Sequence, residues 1–221
     1  MNVEAVIFDL DGVLVATDRE HAAAWRAMAE AEGIPLADDL TDRLRGVARA
    51  EGVDIMLAEA GLEASVEERQ RLGDAKNALY LELIAGLNTS DAAAGAHGLL
   101  TALQVAGVKL AVGSSSRNAR LILDRLNLTA AFDAIVDGND VQRGKPDPEV
   151  FLLAAEAIGV EPSQCVVIED AATGLAAAHA AGMRAVAVGR PDGWERAIAR
   201  VDALTELTAE RLLRTSARTA A

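Results

Sequence analysis

The sequence is poor in cysteine and in aromatic residues. Its 221 residues include one cysteine and only 3% aromatics, while 51% are hydrophobic. The single Cys165 excludes an internal disulfide, and its place in an apolar run predicts a buried structural thiol. With so few aromatics, the core must be built from alanine, valine, leucine and isoleucine. That composition is typical of helices packed on a parallel sheet.

Long hydrophobic runs and positive charge are also lacking. No apolar stretch approaches the ~20 residues of a membrane span. Asp9 interrupts an N-terminal apolar run that has no basic region, which argues against a signal peptide. The 21 basic against 34 acidic residues give a net charge of -13, which disfavours nucleic acid and anionic membranes as partners. We therefore expect a soluble, cytoplasmic protein that needs local cations or a divalent metal to bind any anion.

Short apolar runs alternate with helical patterns in most of the chain. Strands are predicted near Ala5–Leu10, Lys109–Gly113, Ala134–Asp137, Cys165–Glu169 and Ala185–Val188. Helices are predicted at about 97–106, 118–126, 148–159 and 171–181. This alternation predicts an α/β fold: a doubly wound, mostly parallel, Rossmann-like sheet with helices on both faces.

Residues 15–94 break this alternation. They contain no convincing strand, and their helical patterns lie near 18–32, 51–61 and 65–86. We expect an inserted α-helical cap domain at 15–94, and an α/β catalytic core formed by 1–14 and 95–221.

Two carboxylates, Asp9 and Asp11, come at the end of the first predicted strand and are followed by Gly12. Carboxylates are rarely left on a buried strand without a partner. Alternation along a strand places both on one face, so both can address one reacting group. Alone, this pair would reflect a structural role or a generic metal site about half the time, rather than catalysis.

Polar groups also follow three later strands, and the carboxyl ends of parallel strands are where ligands gather. These groups are Ser114–Ser116 with Asn118, Lys145 within Gly144–Pro148, and Glu169-Asp170. Individually they could be a helix cap, a solvated lysine and a second cap. Together they suit phosphoryl transfer, because carboxylates can bind Mg²⁺, hydroxyls and a lysine can hold phosphate, and an aspartate can attack phosphorus.

These motifs resemble those of the haloacid-dehalogenase superfamily of phosphotransferases. The resemblance rests on Phe8–Gly12, Ser114, Lys145-Pro146 and Glu169-Asp170, which span nearly the whole core. It implies that Asp9 is the nucleophile and Asp11 the general acid and base. It also implies phosphate binding by Ser114, Ser115 and Lys145. Mg²⁺ would be bound by Asp9, the backbone carbonyl of Asp11 and Asp170, with Glu169 supporting the site.

A narrower resemblance is to the β-phosphoglucomutase-like subfamily. It rests on Thr17, His21–Trp25, Gly46–Arg49, Lys76-Asn77, Ser114–Asn118, Asn127–Thr129 and Val188–Pro191. It implies that Arg49 binds the phosphate that is not transferred, and that His21 and Lys76 line the sugar site. The other implied substrate contacts are Thr17, Trp25, Gly46, Ser116, Arg117 and Asn118. The chain departs from the subfamily at Arg49-Ala50-Glu51-Gly52, where a serine usually follows the arginine.

The subfamily implies a mutase that interconverts β-glucose 1-phosphate and glucose 6-phosphate through an aspartyl phosphate and β-glucose 1,6-bisphosphate. A Mg²⁺-dependent sugar-phosphate phosphatase is the main alternative. A dehalogenase would have no use for Asp11, and a Schiff-base hydrolase would have to use Lys76. A catalytically silent binding module would be expected to have lost Asp9 or Asp11. We expect a monomer whose partner is a small sugar phosphate.

Overall fold

Six parallel strands form the centre of the molecule. The computed structural model describes residues 3–189 and 191–214, so Arg190 of the Val188–Pro191 motif lies outside the described residues. The strands are β1 (Ala5–Phe8), β2 (Lys109–Gly113), β3 (Ala134–Val136), β4 (Cys165–Glu169), β5 (Arg184–Val188) and β6 (Ala199–Val201). Their order is β3-β2-β1-β4-β5-β6, and every pairing is parallel. The five predicted strands are confirmed, and β6 adds a sixth.

The helices include those that pack on the two faces of the sheet and those of a segment inserted after β1. They are α1 (Asp18–Glu32), α2 (Leu40–Arg43), α3 (Arg49–Glu59), α4 (Val66–Leu83), α5 (Ala96–Val105), α6 (Ala119–Arg125), α7 (Glu149–Ile158), α8 (Ala172–Ala180) and α9 (Ala209–Arg214). Val6 and Phe8 of β1 pack with α5 and α6 on one face. Ala5 and Ile7, which point the other way, pack with α7 and α8. The alternation along β1 therefore supplies two hydrophobic layers, and the doubly wound fold is confirmed.

Helices α1 to α4, here called the helical segment, follow β1 in the sequence and precede the other strands of the sheet. They share a hydrophobic cluster of their own, which includes Trp25, Met28 and Met56. The chain enters and leaves the segment side by side, because the backbone N–H of Ala93 donates to the carbonyl of Leu14 at 2.8 Å. The segment is thus an insertion with its own core, whereas domain boundaries at 15 and 94 stay a prediction.

The state of the cysteine and the length of the helices bear on two expectations from composition. Cys165 is a free, buried thiol, as predicted. In the described part of the chain, no helix combines the length and apolar character needed to cross a bilayer.

Candidate active site

A buried ion-pair cluster lies at the carboxyl ends of β1 and β4. Asp9 directly follows β1, and its backbone N–H donates to the carbonyl of Ile168 at 2.9 Å. Lys145, which is 1% exposed, donates to Asp9 Oδ1 at 2.5 Å and to Glu169 Oε2 at 2.8 Å. Burial opposes a charged lysine, but the two carboxylates raise the pKa of Lys145 above its usual range. Lys145 is therefore a permanent ammonium beside Asp9.

Three carboxylates of this region are close enough to share a cation. Oxygens of Asp9, Glu169 and Asp170 lie within 4.8 Å of one another, and all three residues are buried. Gly12 allows this approach, because a Cβ there would lie 2.0 Å from Asp170 Oδ2. Burial and then the charge of Glu169 raise the pKa of both Asp9 and Asp170, the latter to about 7. A divalent cation would relieve this repulsion, so the residues fit a hard metal such as Mg²⁺.

Glu169 also accepts hydrogen bonds from the backbone, and the carboxylate of Asp11 is not part of the three-carboxylate group found among the described residues. Glu169 Oε1 accepts hydrogen bonds from the backbone N–H groups of Asp170, at 3.2 Å, and Ala171, at 2.9 Å. It therefore holds the turn before α8, but α8 itself has no side-chain cap, so the alternative interpretation of this pair as a helix cap is wrong. The carboxylate of Asp11 does not join the three-carboxylate group found among the described residues. A contribution from Asp11 through its backbone carbonyl stays a prediction.

Asp11 is surrounded by side chains of the helical segment and its entry. The Thr17 hydroxyl donates to Asp11 Oδ1, the Tyr80 hydroxyl lies 3.5 Å from the same oxygen, and His21 Nε2 lies 3.6 Å away. Burial alone would raise the pKa of Asp11, but His21, Thr17 and the charge of Lys76 together lower it. The resting carboxyl group is therefore ionised and able to accept a proton.

The helical segment also brings two cations to the pocket. Lys76 is buried, with its Nζ 2.8 Å from His21 Nδ1 and over the rings of Trp25 and Tyr80, at 5.2 and 4.7 Å from their centroids. Burial and the charge of Arg49 lower the pKa of Lys76 to about 7. Burial and then the charge of Arg117 lower the pKa of Arg49. An anion between these cations would remove their mutual repulsion.

A serine-rich loop after β2 lines the same pocket as Arg49 and Lys76. The Ser114 Oγ accepts from the backbone N–H of Ser116 at 3.0 Å, and the Ser116 Oγ accepts from that of Asn118 at 3.2 Å. Asn118 Nδ2 donates to Asn77 Oδ1 of the helical segment at 2.9 Å. The buried Ser115 hydroxyl has no hydrogen-bond partner within the described part of the chain, which leaves it able to contact a ligand oxygen.

The comparisons with known proteins identify the family. The model of the haloacid dehalogenase-like hydrolases matches residues 3–182. The chain belongs to the haloacid dehalogenase-like hydrolases.

Similar proteins in this family include both mutases and phosphatases. The chain is 43% identical over 190 residues to a β-phosphoglucomutase of Bacillus subtilis, covering 85% of this chain and 84% of the relative. It is 36% identical over 187 residues to a phosphorylated carbohydrates phosphatase of Thermotoga maritima, covering 83% and 84%. A crystal structure of β-phosphoglucomutase from Clostridium difficile matches with a TM-score of 0.92 and 34% identity, covering 96% of each chain. The close structural match extends through the helical segment.

Most of the residues predicted from the sequence line one pocket of this haloacid dehalogenase-like chain. Those that line it are Asp9, Asp11, His21, Trp25, Gly46, Arg49, Lys76, Ser114, Ser115, Ser116, Arg117, Asn118 and Asp170. Thr17, Lys145 and Glu169 are not among these lining residues: Thr17 contacts Asp11, Lys145 contacts Asp9, and Glu169 contacts Lys145. Their predicted roles toward substrate or metal stay predictions, and Glu169 is one of the three carboxylates close enough to share a cation.

Sequence reasoning missed several residues of the pocket and its surroundings. Asp18, Thr41, Leu44 and Arg45 line it, and Tyr80 contacts Asp11 from behind. Arg45 could have been noticed, since it directly precedes the Gly46–Arg49 motif. Tyr80 carries no local signal, because its contact with Asp11 joins residues 69 positions apart in the chain. The pocket as a whole joins four carboxylates, those of Asp9, Asp11, Asp18 and Asp170, with several cations, which suits transfer of a phosphoryl group.

Proposed function

We propose that this protein is a β-phosphoglucomutase that interconverts β-D-glucose 1-phosphate and D-glucose 6-phosphate. One observation carries the proposal: Arg49 and Lys76 from the helical segment, and Arg117 from the core, share the pocket with Asp9 and Asp11. A mutase must hold a second phosphate while the first reacts, whereas a monoester phosphatase need not. The close B. subtilis relative, a β-phosphoglucomutase by name, supports the same proposal.

Asp9 is the proposed nucleophile and phosphoryl carrier. In the forward direction, phosphorylated Asp9 transfers its phosphoryl group to the C6 hydroxyl of β-glucose 1-phosphate. The new bond joins phosphorus to O6, and the bond between phosphorus and the Asp9 oxygen breaks, which yields β-glucose 1,6-bisphosphate. After this intermediate turns around in the pocket, Asp9 takes the phosphoryl group from O1 and glucose 6-phosphate remains. Lys145, 2.5 Å from Asp9, orients that carboxylate and opposes the rise in its pKa that burial and the charge of Glu169 cause.

Asp11 moves the proton in both transfers. It accepts the proton of the C6 hydroxyl as O6 attacks phosphorus, and it returns that proton to O1 as the bond between O1 and phosphorus breaks. The hydrogen bond from Thr17 and the contacts with Tyr80 and His21 orient this carboxyl group. The contacts with His21 and Thr17 also lower the pKa of Asp11, so the resting group is ionised and can act as a base.

Mg²⁺ is the proposed metal, and Asp9 and Asp170 would hold it with the support of Glu169. When bound, it would supply positive charge to the phosphoryl oxygens and reduce their repulsion from Asp9. Ser114 and Ser115 would donate hydrogen bonds to the same phosphoryl group. The buried, unpartnered hydroxyl of Ser115 supports this assignment.

The helical segment is the proposed cap domain, with boundaries at residues 15 and 94. Its contacts with the core include the hydrogen bond between Asn118 and Asn77, and the close approach of Ala48 to Gly144. Closure of the cap would keep water from the aspartyl phosphate, which water would otherwise hydrolyse. The cytoplasmic location and the monomeric state stay predictions.

A sugar-phosphate phosphatase is the second candidate, and the T. maritima relative favours it. It would use the same chemistry at Asp9, with water in place of the sugar hydroxyl. A single assay separates the two functions. The enzyme is given β-glucose 1-phosphate, Mg²⁺ and a trace of glucose 1,6-bisphosphate, and glucose 6-phosphate and free phosphate are followed together.

The mutase predicts rapid formation of glucose 6-phosphate from the β-anomer with little free phosphate, and no reaction of the α-anomer. Release of phosphate without glucose 6-phosphate would establish the phosphatase. No product in either channel would contradict glucose as the sugar.

A further inference from the structure

Arg45 connects the helical segment to the proposed metal site. It lies in the loop between α2 and α3, and its guanidinium forms an ion pair with Asp170 Oδ2. The same Nη2 atom also lies 2.9 Å from Asp18 Oδ2, at the first residue of α1. Arg45 is therefore shared between a carboxylate of the core and a carboxylate of the helical segment.

The backbone holds this loop against the turn that follows Asp170. Gly46 has a φ of 71°, and a Cβ there would lie 2.6 Å from Thr173 Oγ1 and 3.0 Å from the Ala171 Cβ. Only a residue without a side chain fits so close to this turn. The position of Arg45 over Asp170 thus depends on how closely the helical segment approaches the core.

The guanidinium and a divalent cation compete for the charge of Asp170. Asp170 is one of the three buried carboxylates that fit a metal, and it is only 8% exposed. An arginine does not lose its proton in proteins, so its positive charge persists. Two cations on one carboxylate repel each other even when each contacts a different oxygen. Asp18, already 2.9 Å away, offers the guanidinium another partner.

We propose that Arg45 is a positioning residue that couples metal binding to the placement of the helical segment. Its guanidinium pairs with Asp170 and shifts toward Asp18 when a divalent cation binds. This inference rests on the metal site of the proposed function. Coupling of this kind is reciprocal. A cation bound at Asp170 weakens the ion pair between Arg45 and Asp170, and that ion pair in turn weakens binding of the cation.

The test is direct titration of Mn²⁺ and of Mg²⁺ into the substrate-free protein, by electron paramagnetic resonance and calorimetry. Arg45→Gln should bind both ions roughly fivefold to tenfold more tightly than the wild type, in the range usual for coupled sites. Arg43→Gln is the matched control, because Arg43 is a nearby exposed arginine that pairs with Glu59. It removes the same charge and should change the affinity by less than about twofold.

Asp18→Asn separates the exchange of partners from a general effect of charge. It should weaken metal binding in the wild-type background, because the guanidinium then loses its second carboxylate. In the Arg45→Gln background the same substitution should have almost no effect, since Asp18 acts through Arg45. If Asp18→Asn weakens metal binding equally in both backgrounds, Asp18 acts only through its charge. That result would overturn the proposed exchange of Arg45 between Asp170 and Asp18.

The outcomes also separate this inference from the proposed function. If the wild type binds the metal and Arg45→Gln binds it equally well or more weakly, the role of Arg45 is overturned but the metal site is kept. Failure of both proteins to bind either ion would overturn the metal site itself, and the inference with it. Circular dichroism of each variant would establish that its fold is intact.

Discussion

Asp9 and Asp11 are separated by one residue, yet different parts of the chain surround them. The Asp9 cluster, defined as Asp9, Lys145 and Glu169, belongs wholly to the sheet and its loops. The Asp11 cluster, defined as Asp11, Thr17, His21, Lys76 and Tyr80, is built by α1, α4 and the chain leading into them. The charge of Asp9 is therefore set by the core alone, whereas that of Asp11 depends on the helical segment.

This difference suits the two proposed roles. A phosphoryl carrier must keep its orientation through both transfers and while the sugar turns around. An acid and base needs its working environment only when the helical segment has closed over the sugar. Substitutions in the two clusters should therefore have separable effects.

The largest effect is expected from Asp9→Asn. Removal of the nucleophile should lower the formation of glucose 6-phosphate by more than about 10⁴-fold, because only binding and charge stabilisation remain. It should also abolish labelling of the protein by radioactive acetyl phosphate. Asp124→Asn, which changes an exposed carboxylate on α6, is the control. If Asp9→Asn is still labelled as fully as the wild type, another residue carries the phosphoryl group.

Asp11→Ala should separate the two clusters. Transfer to the sugar should fall by about 10²- to 10⁴-fold, because the hydroxyl proton no longer has an acceptor. Labelling of Asp9 by acetyl phosphate should persist, because acetate leaves without needing a proton. Rapid-quench measurement of the labelled protein, with and without β-glucose 1-phosphate, checks both expectations. If labelling is lost together with sugar transfer, the two clusters are not independent.

Arg49→Ala should reduce mutase activity by roughly 10- to 100-fold, the loss expected for a charge-assisted phosphate contact. Slow release of phosphate from the aspartyl phosphate should change much less, since water is small and carries no phosphate. The paired assay for glucose 6-phosphate and free phosphate measures this ratio. Arg43→Ala serves as the control, because Arg43 pairs with Glu59 away from the pocket. Equal losses in both channels would contradict a role for Arg49 in holding the second phosphate.

The smallest expected effect is the pH dependence of Lys76. Its pKa is lowered to about 7 by burial and by Arg49, while Asp11 opposes the shift and His21 lies 2.8 Å away. As the pH rises through 7 the ammonium is lost, so the KM for a sugar phosphate should rise by up to about tenfold between pH 6 and 8.5. Lys76→Arg keeps its charge and should flatten this part of the profile. The same rise in Lys76→Arg would assign the dependence to another group.

The same pKa shift predicts how stability depends on pH. The unfolded lysine has a pKa near 10.5 and the folded one near 7, so the unfolded state binds more protons between these values. The contribution of Lys76 to the free energy of unfolding should therefore increase as the pH rises from about 7 to 10.5. Urea denaturation of the wild type and of Lys76→Met across this pH range measures this contribution. If the free energies of unfolding of the two proteins depend on pH in the same way, the pKa shift of Lys76 is contradicted.

Much of the fold could be predicted because its signals are local. The apolar runs of β1, β2 and β4 are bounded by glycine or charge, and the strands begin and end within two residues of their predicted positions. The elements that were missed are β6, α2 and α9, with three, four and six residues. Segments this short show no periodicity, and contacts with the rest of the molecule stabilise them. Leu40 and Leu212, for example, are almost fully buried in separate clusters.

The sequence by itself determined the order of strands and helices, and it determined that carboxylates, serines and a lysine follow successive strands. Both are properties of neighbouring residues, and parallel pairing then places the strand ends at one edge of the sheet. Only the tertiary structure decided which charges meet. Lys145 reaches Asp9 across 136 positions, and Arg45 reaches Asp170 across 125. The physical reason is that such contacts depend on how the helical segment and the loops pack, which no local pattern encodes.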